Sequence, residues 1–214
     1  PADAVCIYVN NSRAVLSQIS ANFFSHPDKE IDVIGVTGTK GKTTVTHMLA
    51  TCLNECGIKS GVIGTVGAYY DGNHIPTVNT TPESYEIHRI LRIMADAGCK
   101  TCCIEVSSIG LKTHRVDDVH FSTAVFTNLS PDHIGGAEHD SFEEYSFWKK
   151  QLFKKCDTAI FNKDDLFSEE IIKEISCPVK KFSVEGEADF SAGGIHNLRT
   201  ESFFGVGFDC TTPE

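Results

Sequence analysis

Residues 31–46 read I-D-V-I-G-V-T-G-T-K-G-K-T-T-V-T, and this stretch decides which fold the chain can adopt. Its apolar beginning, 31–36, predicts a buried parallel strand, and a helix is predicted to follow the glycine loop. Strand, glycine loop, Lys-Thr and helix form a phosphate-binding P-loop, in which backbone N–H groups and the helix N-terminus face phosphate oxygens. In that motif Lys42 reaches the terminal phosphates and the Thr43 hydroxyl helps to hold Mg²⁺. The eight-residue form would place its first glycine at Val36, so only the shorter G-x-x-G-K-T is present.

Length and charge restrict the classes of protein to which the chain can belong. With 214 residues, 41% of them hydrophobic, it can form one α/β domain, or one domain with a fragment of another. Its formal net charge of −10 argues against nucleic acid as a partner, because phosphate backbones attract the opposite sign. No apolar run approaches membrane-spanning length, and the first residues lack the pattern of a signal peptide.

The nine cysteines lack the paired spacing of a secreted disulfide framework. Cys99 and Cys102 form one C-x-x-C, but neither a helix start nor a second C-x-x-C accompanies it. Cys102 and Cys103 instead open a predicted apolar strand, where cysteine acts as a small hydrophobe. We therefore expect buried thiols in a reducing, cytoplasmic environment.

The order of predicted elements indicates an α/β fold. Residues 1–30 predict a strand at 6–9, a helix at 11–24 capped by Asn11, and a turn; one strand and one helix cannot bury a core alone. The predicted apolar side of that helix consists of Ala14, Leu16, Ile19, Phe23 and Phe24. Beyond them, strands alternate with helices, which predicts a doubly wound, mostly parallel sheet. Further strands are predicted at 59–66, 101–106, 122–128 and 158–162, and helices at 42–56, 81–97, 141–155 and 166–175.

Three local signals complete the predicted fold. Asp71-Gly72 predicts a hairpin turn. Thr81 is placed to cap the helix that follows it, with Pro82 in the first turn. From residue 180 onward, short alternating runs predict a small antiparallel edge.

Polar residues follow the predicted buried strands, at the edge where open α/β sheets bind their ligands. Glu105 is expected to be a second Mg²⁺ ligand beside Thr43, because hard divalent cations take oxygen ligands. His133, which follows Asp132 after the strand at 122–128, is expected to ligate a second metal or to steady a phosphate. Asp132, His139 and the pair Asp164-Asp165 could also belong to the ligand site, but a position in a surface loop explains these residues nearly as well.

Lys149 occupies an unusual position in the predicted helix 141–155, which opens with a capping box from Ser141 to Glu144. Helical spacing places Lys149 inside the apolar stripe formed by Phe142, Tyr145, Leu152 and Phe153, while Lys150 faces elsewhere. Burial disfavours the ammonium, so it would lower the pKa of Lys149 and make the amine nucleophilic. The alternative is that the long side chain reaches the surface.

Several motifs occur in the order found in the Mur ligases of peptidoglycan synthesis. They are T-G-T-K-G-K-T-T, N-T-T-P, E-V-S-S, H-R-V, T-N-L-S-P-D-H and the Y-x-x-x-K-x-x-L-F helix. The chain resembles this family over nearly its whole length, and most of all the MurE type, which adds the third residue to UDP-N-acetylmuramoyl-L-Ala-D-Glu. The resemblance implies an ATP-dependent carboxylate–amine ligase of cell wall biogenesis, and thereby of cell shape and cell division. In such ligases ATP phosphorylates a carboxylate and an amino group attacks the acyl phosphate.

The resemblance also implies roles for single residues. Lys42, His133 and a carbamylated Lys149 would be catalytic, and the carbamate would form from CO₂ on the neutral amine. Two Mg²⁺ ions would be held by Thr43, Glu105, His133 and the Lys149 carbamate. ATP would contact Gly38, Thr39, Lys40, Gly41, Lys42, Thr43, Thr44 and Asn162. The UDP-muramoyl peptide would contact Asn79, Thr80, Thr81, Ser107 and Arg115. The partners would be small molecules, ATP, the UDP-muramoyl dipeptide and an amino acid, and the protein a cytoplasmic monomer.

The sequence departs from the family pattern at a few positions. Ile109 stands where many relatives have histidine, Thr113 stands where a substrate-binding glutamine is common, and the loop 135–139 is longer than usual. By the same resemblance, we expect residues 1–30 to be the tail of an N-terminal UDP-substrate domain and 31–214 to be most of a central ATP-binding domain. The C-terminal ligase domain would be absent, leaving a fragment that binds nucleotide without completing ligation.

Two other functions remain open from the sequence. One is another ligase of the superfamily, such as a folylpolyglutamate synthase or a cyanophycin-type ligase. The other is an ATP-binding module without ligation, for which a buried Lys149 would have no use. A P-loop GTPase is disfavoured, because Asn162-Lys163-Asp164-Asp165 has its aspartate one position too early for N-K-x-D.

Overall fold

The computed structural model describes residues 6–132, 134–135, 138–200 and 204–213. In these residues the chain forms a ten-stranded sheet in the order β10-β9-β8-β7-β6-β1-β5-β2-β3-β4. The strands are β1 (Asp32–Thr37), β2 (Ser60–Gly64), β3 (Gly67–Tyr70), β4 (Asn73–Ile75), β5 (Thr101–Glu105), β6 (Phe121–Phe126), β7 (Cys156–Asn162), β8 (Val179–Ser183), β9 (Phe190–Arg199) and β10 (Phe204–Thr211). The helices are α1 (Ser12–Phe23), α2 (Lys42–Glu55), α3 (Ser84–Asp96), α4 (Ser108–Lys112), α5 (Phe142–Lys150) and α6 (Ser168–Ile172). Short 3-10 turns cover Pro27–Lys29 and Gln151–Lys154.

The centre of the sheet is parallel, as the sequence predicts. β1 lies in the middle and pairs in parallel with β5 on one side and with β6 on the other. Val36 of β1 is level with Glu105 of β5 and with Val125 of β6. Because parallel strands end at the same edge, the P-loop after β1, Glu105 and the residues after β6 lie together.

Helices cover both faces of this parallel sheet. On one face α3 buries Ile87, Ile90, Leu91 and Met94 in the main core. The other face is smaller, and there Ala50 of α2 packs with Val62 and Cys103. Burial on both faces explains why β5 reads as a continuous apolar run rather than as an alternating one.

The cysteines of the central sheet behave as small hydrophobes, as predicted. Cys99, Cys102 and Cys103 are buried free thiols. Burial raises the pKa of the Cys103 thiol to about 12, so the thiol stays protonated at neutral pH. The C-x-x-C is therefore part of the core, and its thiols are not activated.

The first residues differ from the prediction in two respects. Residues 6–9 form no strand, and Tyr8 is almost fully exposed. Asn11 caps α1 as predicted, accepting hydrogen bonds from the backbone N–H groups of Arg13 and Ala14. The predicted apolar side of α1 is wrong at Leu16, Ile19 and Phe23, which are exposed, whereas Ala14 and Phe24 are half-buried.

The buried side of α1 consists of small residues instead. Ser17, Ser20 and Ala21 are the buried residues of the helix, which packs against α3. Small side chains let two helix backbones approach closely, so apolar periodicity alone selected the wrong face. Since α1 packs on α3, it is joined to the central sheet rather than separate from it.

The remaining local signals are confirmed with one exception. Asp71 and Gly72 have φ angles of 48° and 74° and form the tight turn between β3 and β4. Thr81 does not cap α3, which begins at Ser84 with Glu83 at the capping position and no side-chain cap. The Thr81 hydroxyl is used elsewhere, because it donates to the backbone carbonyl of Glu105 at 2.8 Å.

The last strands form the predicted edge of the sheet. β9 and β10 are antiparallel, which confirms that part of the prediction. β8, however, continues the parallel sheet beside β7, and β9 begins in parallel beside β8. Among the described residues, no helix is both long and apolar enough to cross a membrane.

Candidate active site

The P-loop between β1 and α2 has the backbone that its glycines require. Gly41, with φ of 86°, immediately precedes Lys42, the first residue of α2. Gly38 has φ of 154°, and a Cβ added there would lie 1.9 Å from the Thr127 hydroxyl oxygen. No side chain fits at Gly38 without moving that threonine, so the loop depends on this glycine.

Residues after β6 hold the loop from the neighbouring strand. The Asn128 backbone carbonyl accepts from Thr39 N–H at 2.9 Å, and its side-chain oxygen accepts from Lys40 N–H at 3.0 Å. The Thr127 hydroxyl donates to the Lys40 carbonyl at 2.8 Å. Thr127 and Asn128 therefore shape the P-loop. Their position at a strand end does not reveal this role.

Lys42 folds back over the loop that precedes it. Its Nζ atom donates to the carbonyls of Gly38 at 2.9 Å and Thr39 at 3.2 Å. Burial lowers the pKa of Lys42, while the negative charges of Glu105 and Asp132 oppose that shift. A cation at this point faces the space that the loop encloses, as a phosphate-binding lysine must.

Glu105 and Thr43 meet at the edge of the sheet, as predicted. The Thr43 hydroxyl donates to Glu105 Oε2 at 2.9 Å, and the Glu105 side chain is almost fully buried. Thr65 also binds this carboxylate: its N–H donates to Oε1 at 2.8 Å and its hydroxyl to Oε2 at 3.2 Å. The donor set is made of oxygens alone, which suits Mg²⁺.

The sequence did not indicate Thr65 or the glycine before it. A Cβ added at Gly64 would lie 2.1 Å from Glu105 Oε1, so the carboxylate occupies the space that the missing side chain leaves. Gly64 is the last residue of β2 and Thr65 follows it, and this position at a strand end was the only signal available. No three His, Cys, Asp or Glu side chains cluster as a metal site within the described ranges.

Lys149 lies where the helical spacing of α5 predicted it. It is 1% exposed, and its Nζ atom donates to the Gly38 carbonyl at 2.9 Å. The same atom lies 4.5 Å from the centre of the Tyr145 ring. Burial lowers the pKa of Lys149 well below its usual value, and the nearby charge of Lys42 lowers it further. Because the Lys149 side chain is buried, the alternative that it reaches the surface is wrong. Lys150 lies on another side of the helix and pairs with Glu170 and Glu174.

Tyr145 and Thr39 tie α5 to the P-loop. The Tyr145 hydroxyl donates to Thr39 Oγ1 at 3.1 Å. Thr39 Oγ1 also donates to the carbonyl of Ser130 and accepts from its N–H. These bonds hold the buried helix, and with it Lys149, against the loop.

Most of the residues predicted to contact a UDP-muramoyl peptide surround one cleft next to the P-loop. The cleft is lined by Lys42, Asn79, Thr80, Ser107, Ser108, Ile109, Arg115, Glu138, Tyr145 and Lys149. Thr81 lies behind this surface, fully buried, and accepts from Ser107 N–H at 2.9 Å. Arg115 donates to the Thr81 carbonyl at 2.9 Å and pairs with Glu83 at 3.0 Å. The cleft therefore has a cationic side and a hydroxyl-rich side.

The other predicted polar residues have varied surroundings. Asn162 donates to the Thr127 carbonyl at 3.0 Å and accepts from Asp164 N–H. Asp165 accepts from the N–H groups of Leu129 and Phe167, so it stabilises the local loops. Thr44 is exposed on the first turn of α2. His133 lies outside the described residues.

His139 does not lie on a surface loop, although the sequence allowed that interpretation. Its side chain is completely buried, and Nε2 lies 2.9 Å from the Ser108 hydroxyl oxygen. The ring contacts the Tyr145 ring edge-on, with centroids 5.4 Å apart. His139 therefore lies behind Ser108 and Tyr145, two residues that line the cleft.

A family model described as the Mur ligase middle domain matches residues 36–211 of the chain. Among curated proteins, the UDP-N-acetylmuramoyl-L-alanyl-D-glutamate–2,6-diaminopimelate ligase of Clostridium perfringens is 37% identical over 212 residues. That match covers 97% of this chain and 43% of the relative. The enzyme of the same name from Clostridium tetani is 39% identical over 206 residues, covering 96% of this chain and 42% of the relative. The chain thus spans less than half the length of these relatives.

Solved structures share the fold. A UDP-N-acetylmuramoyl-L-alanyl-D-glutamate–2,6-diaminopimelate ligase superposes with a TM-score of 0.75 and 24% identity, covering 90% of this chain and 43% of that one. A folylpolyglutamate synthase of Mycobacterium tuberculosis superposes with a TM-score of 0.70 and 13% identity, covering 92% and 51%. At such identities the likeness supports the architecture alone.

Proposed function

The chain belongs to the Mur ligase family, and from this we propose that it supplies the ATP-binding and acyl-activating part of a peptidoglycan precursor ligase. The reaction would be ATP-dependent addition of the third residue to UDP-N-acetylmuramoyl-L-Ala-D-Glu. The observation that carries the proposal is the meeting of a P-loop lysine and a buried helix lysine at one backbone carbonyl, beside the Thr43–Glu105 pair. A P-loop that only binds nucleotide has no use for the second, buried amine.

The P-loop would bind the phosphates of ATP. Residues 41–44 offer backbone N–H groups at the N-terminus of the fourteen-residue helix α2, where an anion is stabilised. Lys42 would exchange its bonds to loop carbonyls for bonds to the terminal phosphates. Asn162, which supports Thr127 from β7, would keep the nucleotide side of the loop in place.

Thr43 and Glu105 would hold Mg²⁺, and their oxygen atoms suit that ion. When bound, Mg²⁺ neutralises charge on the phosphates during phosphoryl transfer. His133 and the Lys149 carbamate would complete a second Mg²⁺ site. That a second ion is present, and that His133 is a ligand, remain predictions.

Lys149 would react with CO₂ to form a carbamate. The reaction needs a neutral amine, because the nitrogen lone pair attacks the carbon of CO₂ and a proton leaves the nitrogen. The lowered pKa of Lys149 supports this step. Carbamylation would replace a buried amine by an anionic oxygen ligand.

The cleft beside the P-loop would receive the carboxylate substrate. Asn79, Thr80, Ser107 and Arg115 line it, and Thr81 supports Ser107 and Arg115 from behind. This arrangement would place a carboxylate near the cations of the cleft, where the terminal phosphate of ATP is also held. The carboxylate attacks that phosphate to give an acyl phosphate and ADP, and the incoming amine then displaces phosphate to form the amide.

Several finer points belong to the same proposal. The similar Clostridium enzymes carry 2,6-diaminopimelate in their names, so we propose this amino acid as the incoming amine. We also propose a cytoplasmic monomer, with residues 1–30 leading from a UDP-substrate domain into the central domain. A folylpolyglutamate synthase is the alternative within the same fold, but the sequence relatives favour the muramoyl substrate.

The test is direct. ATP binding is measured on this chain by calorimetry with and without Mg²⁺, and ligation is measured on the full-length gene product. Release of phosphate that depends on the UDP-muramoyl dipeptide and 2,6-diaminopimelate is the expected result. Phosphate release that depends on a folate and glutamate would favour the alternative. Mg²⁺-dependent ATP binding without any ligation would leave a nucleotide-binding module.

A further inference from the structure

Ser108 lines the cleft, and His139 and Glu144 continue from it as a line of polar side chains. The His139 ring lies between the other two: Nε2 is 2.9 Å from Ser108 Oγ, and Nδ1 is 3.9 Å from Glu144 Oε2. Both the histidine and the serine are buried, yet Ser108 lines the cleft next to Lys149. We propose that His139 and Glu144 hold the Ser108 hydroxyl as a hydrogen-bond acceptor for an N–H group of the substrate. The inference rests on the proposed ligase function.

Glu144 carries a negative charge beside His139. Its carboxylate accepts from Asp140 N–H at 2.8 Å and pairs with Lys112 at 2.8 Å. These partners lower the pKa of Glu144 to about 2, with the bond to Lys112 as the largest cause, so the group is ionised at neutral pH. An anion therefore faces the Nδ1 edge of the His139 ring.

The charge of Glu144 decides which tautomer His139 adopts. Burial lowers the pKa of His139, the positive charge of Lys112 acts in the same direction, and Glu144 and Glu138 oppose the shift. The ring is therefore neutral and carries one proton. Nδ1 has no hydrogen-bond partner within the described residues, but a proton on it is attracted by the charge of the Glu144 carboxylate, whereas a lone pair there would be repelled. Nδ1 is protonated in consequence, and Nε2 is left as an acceptor.

This tautomer fixes the direction of the single hydroxyl hydrogen of Ser108. With Nε2 as an acceptor, Ser108 donates its hydrogen to His139, and its oxygen offers only lone pairs to the cleft. The neighbouring Ser107 differs, because its oxygen already accepts from Gly110 N–H and bonds the Thr81 hydroxyl. The Ser108 oxygen can therefore accept from a ligand N–H. The incoming amine and the peptide amide of the carboxylate substrate both supply such a group.

The tautomer is tested first, on this chain and without any substrate. Long-range ¹H–¹⁵N correlation spectra of ¹⁵N-histidine-labelled protein distinguish the protonated from the unprotonated ring nitrogen. The expected spectrum shows His139 protonated on Nδ1 at neutral pH, with the signal assigned by its loss in His139→Gln. Protonation on Nε2 would overturn the proposal, because His139 would then donate to Ser108.

The role is tested by ligation kinetics of the full-length gene product. Losing one neutral hydrogen bond in Ser108→Ala corresponds to an expected loss of about three- to tenfold in kcat/KM. A rise in the KM of the amino acid alone assigns the bond to the amine, and a rise in the KM of the UDP-substrate alone assigns it to the peptide. Unchanged kinetics in Ser108→Ala would overturn the proposal.

Two histidine variants separate positioning from folding. His139→Gln keeps an acceptor near the place of Nε2, so it should stay close to wild type, whereas His139→Leu should match Ser108→Ala. The double variant Ser108→Ala/His139→Leu should lose no more than either single variant. Equal losses in the Gln and Leu variants would mean that the histidine only supports packing, and would overturn its positioning role.

The matched control is Ser122→Ala. The Ser122 hydroxyl donates to the Val33 carbonyl at the opposite edge of the sheet, so this variant should leave the kinetics unchanged.

The ligase function and the role of Ser108 are refuted by different results. A wild-type protein that ligates none of the tested substrates refutes the ligase function, and the role of Ser108 with it. A wild-type protein that ligates, with Ser108→Ala unaffected, refutes the inference alone.

Discussion

Lys42 and Lys149 donate hydrogen bonds to the same atom, the backbone carbonyl oxygen of Gly38, each at 2.9 Å. Two ammonium groups on one oxygen repel each other, and the more deeply buried of the two loses its proton more easily. The pKa of Lys149 is lowered first by burial and then by the charge of Lys42. For Lys42, burial is opposed by Glu105 and Asp132. The site thus contains one cation for phosphate and one amine that is ready to react.

The neutral amine leads to the first prediction. ¹³C-bicarbonate added to the chain with Mg²⁺ and ATP should give a lysine carbamate signal in the ¹³C NMR spectrum. The signal should disappear in Lys149→Ala and remain in Lys150→Ala, because Lys150 is an outward-facing partner of Glu170 and Glu174. A wild-type protein that binds ATP but shows no signal would contradict the carbamate and leave the nucleotide site intact.

Replacing Lys149 by methionine should change stability in a pH-dependent way. The pKa of Lys149 in the folded protein is lower than in the unfolded chain, so between the two values the unfolded chain binds more protons. The free energy of unfolding of the wild type therefore rises with pH across that interval. Lys149→Met lacks this rise and should be more stable than the wild type at neutral pH, since no amine is buried. The advantage should shrink as the pH increases towards the ordinary lysine pKa.

Urea denaturation at several pH values, without bicarbonate, checks this prediction. Lys150→Met serves as the matched variant, since the Lys150 ammonium is held by ion pairs with Glu170 and Glu174 and its pKa is raised rather than lowered. A constant difference between Lys149→Met and wild type at every pH would show that Lys149 is not buried as a neutral amine.

These two predictions depend on a residue that the sequence itself located. Helical periodicity placed Lys149 in the apolar stripe of α5 because such spacing fixes which side chains share a face. The same reasoning failed for α1, where Ser17, Ser20 and Ala21 are buried and the larger apolar residues are exposed. Periodicity identifies an apolar face, but it does not reveal whether a neighbouring helix is close enough to require small residues.

In the site, too, some residues were predictable from the sequence and others were not. The P-loop, Glu105 and Lys149 were predictable, because each has a chemical reason at its own position in the sequence. Thr65 and Gly64 were not predictable, because their importance comes from contact with the Glu105 carboxylate. Glu105 lies 40 residues after Thr65 in the chain. The burial of His139 likewise arises from contacts with Ser108 and Tyr145 that no local pattern encodes.

Lys42→Ala should weaken ATP binding without unfolding the protein. A hydrogen bond to a charged group contributes about 1.5–3 kcal/mol, which corresponds to a loss of about 10- to 150-fold in affinity. Calorimetric titration with ATP and Mg²⁺ measures the change, and circular dichroism verifies the fold. Lys150→Ala, on the outer side of α5, should bind ATP as the wild type does; an equal loss in both variants would point to a general effect of charge.

Glu105→Gln should separate Mg²⁺ binding from nucleotide binding. The amide keeps nearly the shape of the carboxylate and can still accept from Thr65 N–H, but it has no negative charge for the cation. Removing an interaction that supports a metal site costs about 10- to 100-fold in metal affinity. The Mg²⁺ concentration that gives half-maximal ATP binding should rise accordingly, while ATP binding in EDTA should be unchanged. A fall in the EDTA measurement would mean that Glu105 mainly supports the P-loop.

Gly64→Ala should reproduce the Glu105→Gln defect from the neighbouring strand. The new methyl group would lie 2.1 Å from Glu105 Oε1, so the carboxylate must move away from Thr43 and Thr65. Overpacking of this kind costs about 1–3 kcal/mol of stability, which urea denaturation can detect. The Mg²⁺ requirement for ATP binding should rise as in Glu105→Gln, and the double variant should show no further rise because both changes remove one interaction. Gly186→Ala, which has open space around it, should be neutral in both measurements. Additive defects in the double variant would show that Gly64 acts on the site by a route other than Glu105.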